Sequence, residues 1–187
     1  ATEDTTLAIA ASTLLANDSD ADTATDGQVL TVSAVSAITG ATHGTVSLVT
    51  LADGSQQVNY VPDANYHGPA QFSYTVSDGA GGTVTAVAAL TVAPVNDVPV
   101  VQGESGSTAE DTALSWTSAA LLANDTDADA STDGQTLAVQ AVHNAQHGVV
   151  TLAADGRVTF TPDANHHGAA SFQYVVTDGA GGTARGT

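Results

Sequence analysis

Short runs in which apolar and polar residues alternate recur along the whole chain, separated by Gly, Asp, Asn and Pro. In the first half they lie near Thr5–Ile9, Val29–Val35, Thr45–Thr50, Gln57–Val61, Ala70–Ser77 and Thr83–Ala93. Alternation with a period of two is typical of antiparallel strands that bury one face. Because no stretch shows a comparable helical periodicity, the pattern predicts an all-β chain.

The same alternation predicts which side chains form the core. In the first half these are Leu7, Ile9, Leu30, Val32, Val46, Leu48, Val58, Tyr60, Phe72, Tyr74 and Val76. In the second half they are Leu114, Trp116, Leu137, Val139, Val150, Leu152, Val158, Phe160, Phe172, Tyr174 and Val176. The second half also carries an extra strand-like run near Pro99–Ser105. Six or seven short strands per roughly 100 residues indicate a two-sheet sandwich with immunoglobulin-like connections.

Motifs of the first half return in the second half, so the chain contains an internal repeat. Glu3-Asp4-Thr5 recurs as Glu110-Asp111-Thr112, and Asp78-Gly79-Ala80-Gly81-Gly82 recurs as Asp178-Gly179-Ala180-Gly181-Gly182. We therefore predict one module over residues 1–95, a linker at 96–99 and a second module over 100–187. We expect the first module to lack its leading strand and the last strand of the second to be cut short.

The charge of the chain excludes several classes of function. Twenty acidic residues stand against two cations, Arg157 and Arg185, for a formal charge of −18. Such a surface repels nucleic acid and anionic membranes, so we expect neither as a partner nor any insertion into a membrane. The chain has no Cys, no Gly-x-Ser-x-Gly and no phosphate-binding loop, and we predict no enzymatic activity.

The densest acidic stretch is Asn124-Asp125-Thr126-Asp127-Ala128-Asp129. Carboxylates about 5 Å apart repel one another by roughly 3 kcal/mol per pair at an effective dielectric near 20. Clustered hard oxygens are what Ca²⁺ takes, since it binds six to eight of them in irregular geometry. The loop is not an EF-hand, because Ala130 replaces the glycine at position six and Thr136 the glutamate at position twelve.

If successive strands run up and down, the loops alternate between the two ends of each sandwich, and this parity predicts a calcium site at the junction of the modules. The first-choice ligands are Glu3, Asp4, Asn96, Asp97, Asp125, Asp127 and Asp129. The second-choice ligands are Asp18, Asp20, Asp22, Asp63, Glu110, Asp111 and Asp133.

Several further polar clusters have a structural interpretation beside the functional one. Asp78 and Asp178 open Asp-Gly turns, which favours a structural role. His147, His166 and His167 with Asp163 could hold zinc, but turn packing accounts for the His-Gly pairs better. Tyr66 is the one aromatic residue in a loop that could contact a sugar.

Several of these motifs together resemble the bacterial cadherin-like tandem repeats of large secreted, RTX-type surface adhesins. They are Glu-Asp-Thr, Leu-Leu-Ala-Asn-Asp-x-Asp-x-Asp, Pro-Asp-Ala-Asn-x-His-Gly, Phe-x-Tyr-x-Val-x-Asp-Gly-x-Gly-Gly and the linker Val-Asn-Asp-x-Pro. The resemblance implies two tandem immunoglobulin/cadherin-like Greek-key β-sandwiches. It also implies an extracellular extender of the cell surface, stiffened by Ca²⁺ between neighbouring repeats, with a role in adhesion and biofilms. The alternative is a cadherin-like module that itself binds a cell-surface carbohydrate or protein.

Overall fold

The computed structural model describes residues 1–22, 27–131 and 134–187. The chain divides into two compact units, Ala1–Val95 (unit 1) and Asn96–Thr187 (unit 2). Each unit is a sandwich of two three-stranded sheets in which all neighbouring strands are antiparallel. The predicted all-β fold is therefore confirmed. No helix in the described ranges is both long and apolar enough to cross a membrane.

Within its described residues, 1–22 and 27–95, unit 1 has six strands and one short helix. One sheet has the order β1-β4-β3 and the other β2-β5-β6. Because β1 pairs with β4 and not with β2, the chain crosses between the sheets as in a Greek key. The elements are β1 (Leu7–Ala10), α1 (Ala11–Leu14), β2 (Thr31–Ala37), β3 (Gly44–Thr50), β4 (Gln56–Pro62), β5 (Gly68–Ser77) and β6 (Thr83–Val92).

Unit 2 repeats this topology with sheets β7-β10-β9 and β12-β11-β8. Its final strand pair is much shorter than the β5–β6 pair of unit 1. The elements are β7 (Leu114–Trp116), α2 (Ser118–Leu121), a 3-10 helix (Asp129–Ser131), β8 (Ala138–Gln146), β9 (Gly148–Leu152), β10 (Val158–Pro162), β11 (Ser171–Thr177) and β12 (Thr183–Gly186).

The core of each unit lies between its two sheets and consists of the side chains that the alternation selects. In unit 1, Val58 of one sheet is fully buried and packs in one cluster with Val32 and Phe72 of the other sheet, and Phe72 is also fully buried. In unit 2, Val158 and Val176 are fully buried in the corresponding cluster. The other predicted core residues are buried or partly buried, as predicted.

Two sequence expectations about local structure were wrong. Residues 99–105 form no strand; they contribute one isolated bridge, Val100 with Thr126, because the backbone of this segment bonds to the acidic loop and not to a sheet edge. Two four-residue helices, α1 and α2, were not predicted. For α2 the signal was present, since the Thr117 side chain accepts a hydrogen bond from the Ala120 amide (3.2 Å) as an N-cap.

Candidate functional site

The first two residues of unit 2 are fixed on two buried carboxylates. The Asn96 side-chain amide donates to Asp178 Oδ2 (2.8 Å), and the Asp97 backbone amide donates to Asp129 Oδ2 (2.8 Å). Asp129 and Asp178 are each only 2% exposed. Hydrogen bonds to ionised acceptors are the stronger kind, so they hold Asn96 and Asp97 beside the acidic loop.

The acidic loop itself is organised by hydrogen bonds to one oxygen of each aspartate. Asp127 Oδ1 accepts from the Asp129 amide (2.9 Å), and Asp125 Oδ1 accepts from the Gln102 amide (2.9 Å). The second oxygens, Asp125 Oδ2 and Asp127 Oδ2, are buried and have no hydrogen-bond partner in the described part of the chain. A buried carboxylate oxygen without a partner is costly. These two oxygens are therefore suited to receive a cation.

Asp178 also holds Asn96 at this end of unit 2, a role that the sequence analysis did not predict. It lies in the turn between β11 and β12 and accepts hydrogen bonds from the backbone amides of Ala180 (2.7 Å), Gly181 (3.0 Å) and Gly182 (3.0 Å). The hydrogen bond from Asn96 and these amides lower the pKa of Asp178. The predicted turn role is present, and Asp178 in addition holds the start of the unit. The available signal was the Asp-Gly-x-Gly-Gly motif, since a Cβ at Gly182 would overlap the Asp178 carboxylate.

Glu3 plays the corresponding part at the end of unit 1. Its side chain is fully buried, and Oε1 accepts a hydrogen bond from the Val95 amide (2.5 Å). Oε2 lies 3.7 Å from Nδ1 of His67. The adjacent Asp4 accepts from the Asn65 amide (3.3 Å). Unit 1 thus brings Glu3 and Asp4 together with its last residue, Val95.

The second-choice residues are placed in several ways. Asp20 Oδ1 accepts from the Asp22 amide (2.7 Å), as Asp127 does from Asp129, and Asp18 Oδ2 is buried without a hydrogen-bond partner among the described residues. Asp111 is exposed and accepts from the Asn165 amide (2.9 Å). Asp63 and Glu110 are exposed, and Asp133 lies outside the described residues.

No group of three or more His, Cys, Asp or Glu side chains within residues 1–22, 27–131 and 134–187 is positioned to hold a metal ion. The predicted calcium ligands therefore have the right chemistry but are not gathered into a coordination shell. The same holds for the zinc hypothesis, because His147, His166, His167 and Asp163 form no such group among the described residues. His147 and His166 instead stack face to face, with ring centroids 4.4 Å apart, which agrees with turn packing.

Tyr66, the loop residue that could contact a sugar, is used within unit 1. Its ring stacks on His43 with centroids 4.1 Å apart and an interplanar angle of 7°. Its hydroxyl donates to the Pro69 carbonyl (2.6 Å). One ring face and the hydroxyl are thus engaged within the protein itself.

Comparison with known proteins places these observations in a family context. The profile of the cadherin-like domain matches the chain twice, over residues 1–93 and 95–187. No curated protein matches the chain. Among solved structures it is similar to the endo-fucoidan hydrolase MfFcnA4 from glycoside hydrolase family 107 (16% identity, TM-score 0.31), covering 86% of this chain and 23% of that one.

Two further solved structures are similar at comparably low identity. The protocadherin GammaB4 extracellular domain matches with 16% identity and a TM-score of 0.32, over 82% of this chain and 26% of that one. The N-terminal Ig1-2 module of the Drosophila receptor protein tyrosine phosphatase DLAR matches with 13% identity and a TM-score of 0.22, over 76% and 71%. The chain spans about a quarter of the length of the hydrolase and the protocadherin.

Proposed function

The chain belongs to the cadherin-like domain family, and we propose that it is a calcium-stiffened extender of a bacterial cell-surface adhesin. Domains of this family are usually extracellular and are generally not enzymes. In this proposal the two modules act as a spacer whose junction is made rigid by Ca²⁺. The partners are neighbouring repeats and a cell-surface target.

The observation that carries the proposal is the pair of buried oxygens Asp125 Oδ2 and Asp127 Oδ2, beside the fixed residues Asn96 and Asp97. A divalent cation compensates buried carboxylate charge that water cannot reach. Asp129, between these groups, adds a further carboxylate. The residues fit calcium in their chemistry, and Asp125, Asp127 and Asp129 lie in one loop of unit 2.

The site we propose is shared between modules. From unit 1 it takes Glu3 and Asp4, which are tied to the end of that unit through Val95. Asn96, the next residue in the chain, is tied to Asp178 in unit 2. In this proposal one ion takes ligands from both modules, next to the chain connection from Val95 to Asn96. Without it we expect bending, because motion between modules is the default when little surface is buried.

A calorimetric titration with Ca²⁺ tests the site. We expect a dissociation constant of about 10⁻⁴ to 10⁻³ M, as is usual for extracellular modules. Asp127→Ala should weaken binding at least about tenfold, because a charged ligand is removed. Asp155→Ala, in an exposed turn, is the matched control and should leave binding unchanged. Equal affinities for the wild type and Asp127→Ala would contradict the proposed ligand set.

Small-angle scattering tests the stiffening separately from the binding. With saturating Ca²⁺ the maximum dimension of the two-module chain should increase relative to the same sample with a chelator. The spread of maximum dimensions over the conformational ensemble should narrow. The Asp127→Ala variant should show the chelated behaviour under both conditions. Tight calcium binding with unchanged dimensions would keep the site but remove its mechanical role.

A further inference from the structure

The segment that follows the linker in unit 2 lies along the acidic loop and is joined to it by four hydrogen bonds. The Val100 amide donates to the Thr126 carbonyl (2.8 Å), and the Thr126 amide donates to the Val100 carbonyl (3.0 Å). Two positions further on, the Gln102 amide donates to Asp125 Oδ1 (2.9 Å) and the Gln102 side chain donates to the Asn124 carbonyl (3.2 Å). The loop is therefore held by the backbone that runs beside it.

Tyr174 holds the same segment from the core. Tyr174 is 1% exposed and belongs to the core cluster of unit 2, against which Val101 also packs. Its hydroxyl donates to the Gln102 carbonyl (3.0 Å) and to the Glu104 carboxylate. Gln102 thus bonds to the core through its carbonyl and to Asp125 through its amide. The position of Asp125 is in this way tied to a side chain of the core.

The surroundings of Tyr174 keep its hydroxyl protonated. Burial raises the pKa of Tyr174 above its ordinary value, and the hydrogen bond to Glu104 and the negative charges of Glu104 and Asp125 raise that pKa further. At neutral pH the hydroxyl therefore carries its hydrogen and acts as a donor. Replacement by phenylalanine would remove this donor and keep the ring in the core.

The two oxygens of Asp125 differ in their surroundings. Oδ1 accepts from the Gln102 amide, whereas Oδ2 is buried and has no hydrogen-bond partner among the described residues. A hydrogen bond to one oxygen of a ligating carboxylate orients the group, and loss of such an outer partner typically lowers metal affinity about 10–100-fold. The bond from Gln102 therefore leaves Oδ2 as the oxygen of Asp125 that is available to an ion.

Unit 1 provides a matched comparison. Tyr74 occupies in β5 the motif position that Tyr174 occupies in β11, and it is 6% exposed. Its hydroxyl donates to the Leu14 carbonyl (3.3 Å) at the end of α1. Both tyrosines thus donate to a backbone carbonyl from the core. Gln102 also bonds to Asp125, whereas Leu14 bonds to no aspartate side chain among the described residues.

We propose that Tyr174 is a positioning residue of the calcium site, which through Gln102 holds Asp125 with Oδ2 available to the ion. This inference rests on the proposed calcium function and adds to it a core residue that does not itself touch the ion. The determinants of calcium affinity then extend from the loop, through Gln102, into the core of unit 2. Removal of the Tyr174 hydroxyl should weaken calcium binding although every carboxylate ligand is still present.

The test compares Tyr174→Phe with Tyr74→Phe in the full chain, because each variant removes one hydroxyl from the core and keeps the aromatic ring. Nuclear magnetic resonance of the isotope-labelled chain during titration with CaCl₂ gives the affinity at the amides of residues 125–129, separately from any other site. Tyr174→Phe should weaken binding there about three- to tenfold, less than loss of a direct outer partner, because it acts through Gln102. Tyr74→Phe should leave this affinity unchanged. Equal affinities of the wild type and Tyr174→Phe, or an equal loss in both variants, would overturn the inference.

Amide hydrogen exchange of the calcium-free chain separates positioning from a general loss of stability. In Tyr174→Phe the amides of Gln102 and Thr126 should exchange at least about tenfold faster than in the wild type, because their segment is no longer tied to the core. The amides of β10, which pairs with β7 and β9, should exchange as in the wild type. Faster exchange throughout unit 2 would show a merely structural role of the hydroxyl and overturn the inference.

The same titration distinguishes failure of this inference from failure of the proposed function. If the amides of residues 125–129 in the wild type did not respond to CaCl₂, the proposed calcium function would be overturned, and the calcium role of Tyr174 with it. A wild-type response that Tyr174→Phe leaves unchanged would overturn the role of Tyr174 alone.

Discussion

Units 1 and 2 carry the same motifs on the same sheet topology, yet the same motif residues differ in burial. Glu3 is fully buried and accepts from the Val95 amide, while its counterpart Glu110 is exposed. Phe72 is fully buried, while Phe172 is partly exposed. Phe72 lies where β6 pairs with β5, whereas the described pairing of β12 with β11 covers only Tyr174–Thr177, and Glu3 is engaged by Val95, which follows β6. Motif identity thus sets the position of a side chain, and the neighbouring strand sets its burial.

The acidic loops show a second difference of the same kind. In unit 2 the Asp97 amide bonds to Asp129 and the Asn96 side chain bonds to Asp178. In unit 1 the loop containing Asp18 has the same internal turn, in which Asp20 accepts from the Asp22 amide. The shared sequence pattern therefore gives the same Asp-x-Asp turn in both units, and in unit 2 the residues at the start of the unit bond to Asp129 and Asp178.

The largest expected contrast is between Phe72→Ala and Phe172→Ala. Phe72 is fully buried, so its truncation should lower the free energy of unfolding of unit 1 by about 3–5 kcal/mol. Phe172→Ala removes a side chain that is already partly hydrated and should cost unit 2 roughly half as much. Denaturant unfolding followed by circular dichroism, with Trp116 emission as a local probe of unit 2, measures both. Equal costs would mean that Phe172 is as well buried in solution as Phe72.

The next contrast is between the two turn aspartates, Asp178 and Asp78. Asp178→Ala removes an acceptor from three backbone amides and from Asn96 and should lower the Tm of unit 2 by several degrees. Asp78→Ala should have a smaller effect on unit 1, because Asp78 is less buried and, among the described residues, accepts from the Ala80 and Gly82 amides alone. Differential scanning calorimetry of the two variants gives the comparison.

Asp178 also predicts a pH dependence. Because its pKa is lowered in the folded state, the unfolded chain binds the proton more readily, and stability rises with pH across the acid range. This contribution is complete above the pKa of an unfolded aspartate, about 3.9, and is lost as the pH falls through the lower folded value. Thermal unfolding between about pH 2 and pH 6 should show a shallower dependence in Asp178→Asn than in the wild type. An unchanged slope would assign the acid sensitivity to other carboxylates.

Much of the fold was predictable because alternation and turn residues are local signals. The six strands of unit 1 were each located to within about two or three residues, and Val58, Phe72, Val158 and Val176 face the core as the period of two requires. The segment 99–105 was mistaken for a strand, because its apolar residues give the same pattern whether they pair with a sheet or with a loop. Only tertiary contacts decide whether such a segment pairs with a sheet edge or with a loop.

The candidate site was less predictable than the fold. Acidic residues at alternate positions identified the loop from Asp125 to Asp129, and the parity of strands placed Asn96 and Asp97 at the same end. The role of Asp178 in holding Asn96 was missed, since an Asp-Gly turn looks the same whether it faces solvent or a linker. Calcium binding by these residues stays a prediction.

A smaller contrast is expected between the two motif glutamates. Glu3→Ala leaves the Val95 amide without its acceptor and removes a fully buried side chain, so unit 1 should lose about 1–3 kcal/mol of unfolding free energy. Glu110→Ala changes an exposed side chain and should fall within about 0.5 kcal/mol of the wild type. Chemical denaturation without calcium measures both and keeps ion binding out of the comparison. A large loss for Glu110→Ala would show that this residue is covered in solution.

The smallest contrast concerns the stacked pairs His43–Tyr66 and His147–His166, which occupy equivalent turns. Both rings stack on a histidine, but the Tyr66 hydroxyl donates to the Pro69 carbonyl at 2.6 Å, whereas the His166 ring makes a longer contact of 3.3 Å with the Ala169 carbonyl. His166→Tyr should copy the unit 1 arrangement and stabilise unit 2 by up to about 1 kcal/mol, the usual net value of one added hydrogen bond. Tyr66→His should destabilise unit 1 by a similar amount, measured by the same denaturation. If His166→Tyr destabilised unit 2 and Tyr66→His stabilised unit 1, the two turns would hold their rings differently. The shared stacking would then not be what stabilises them.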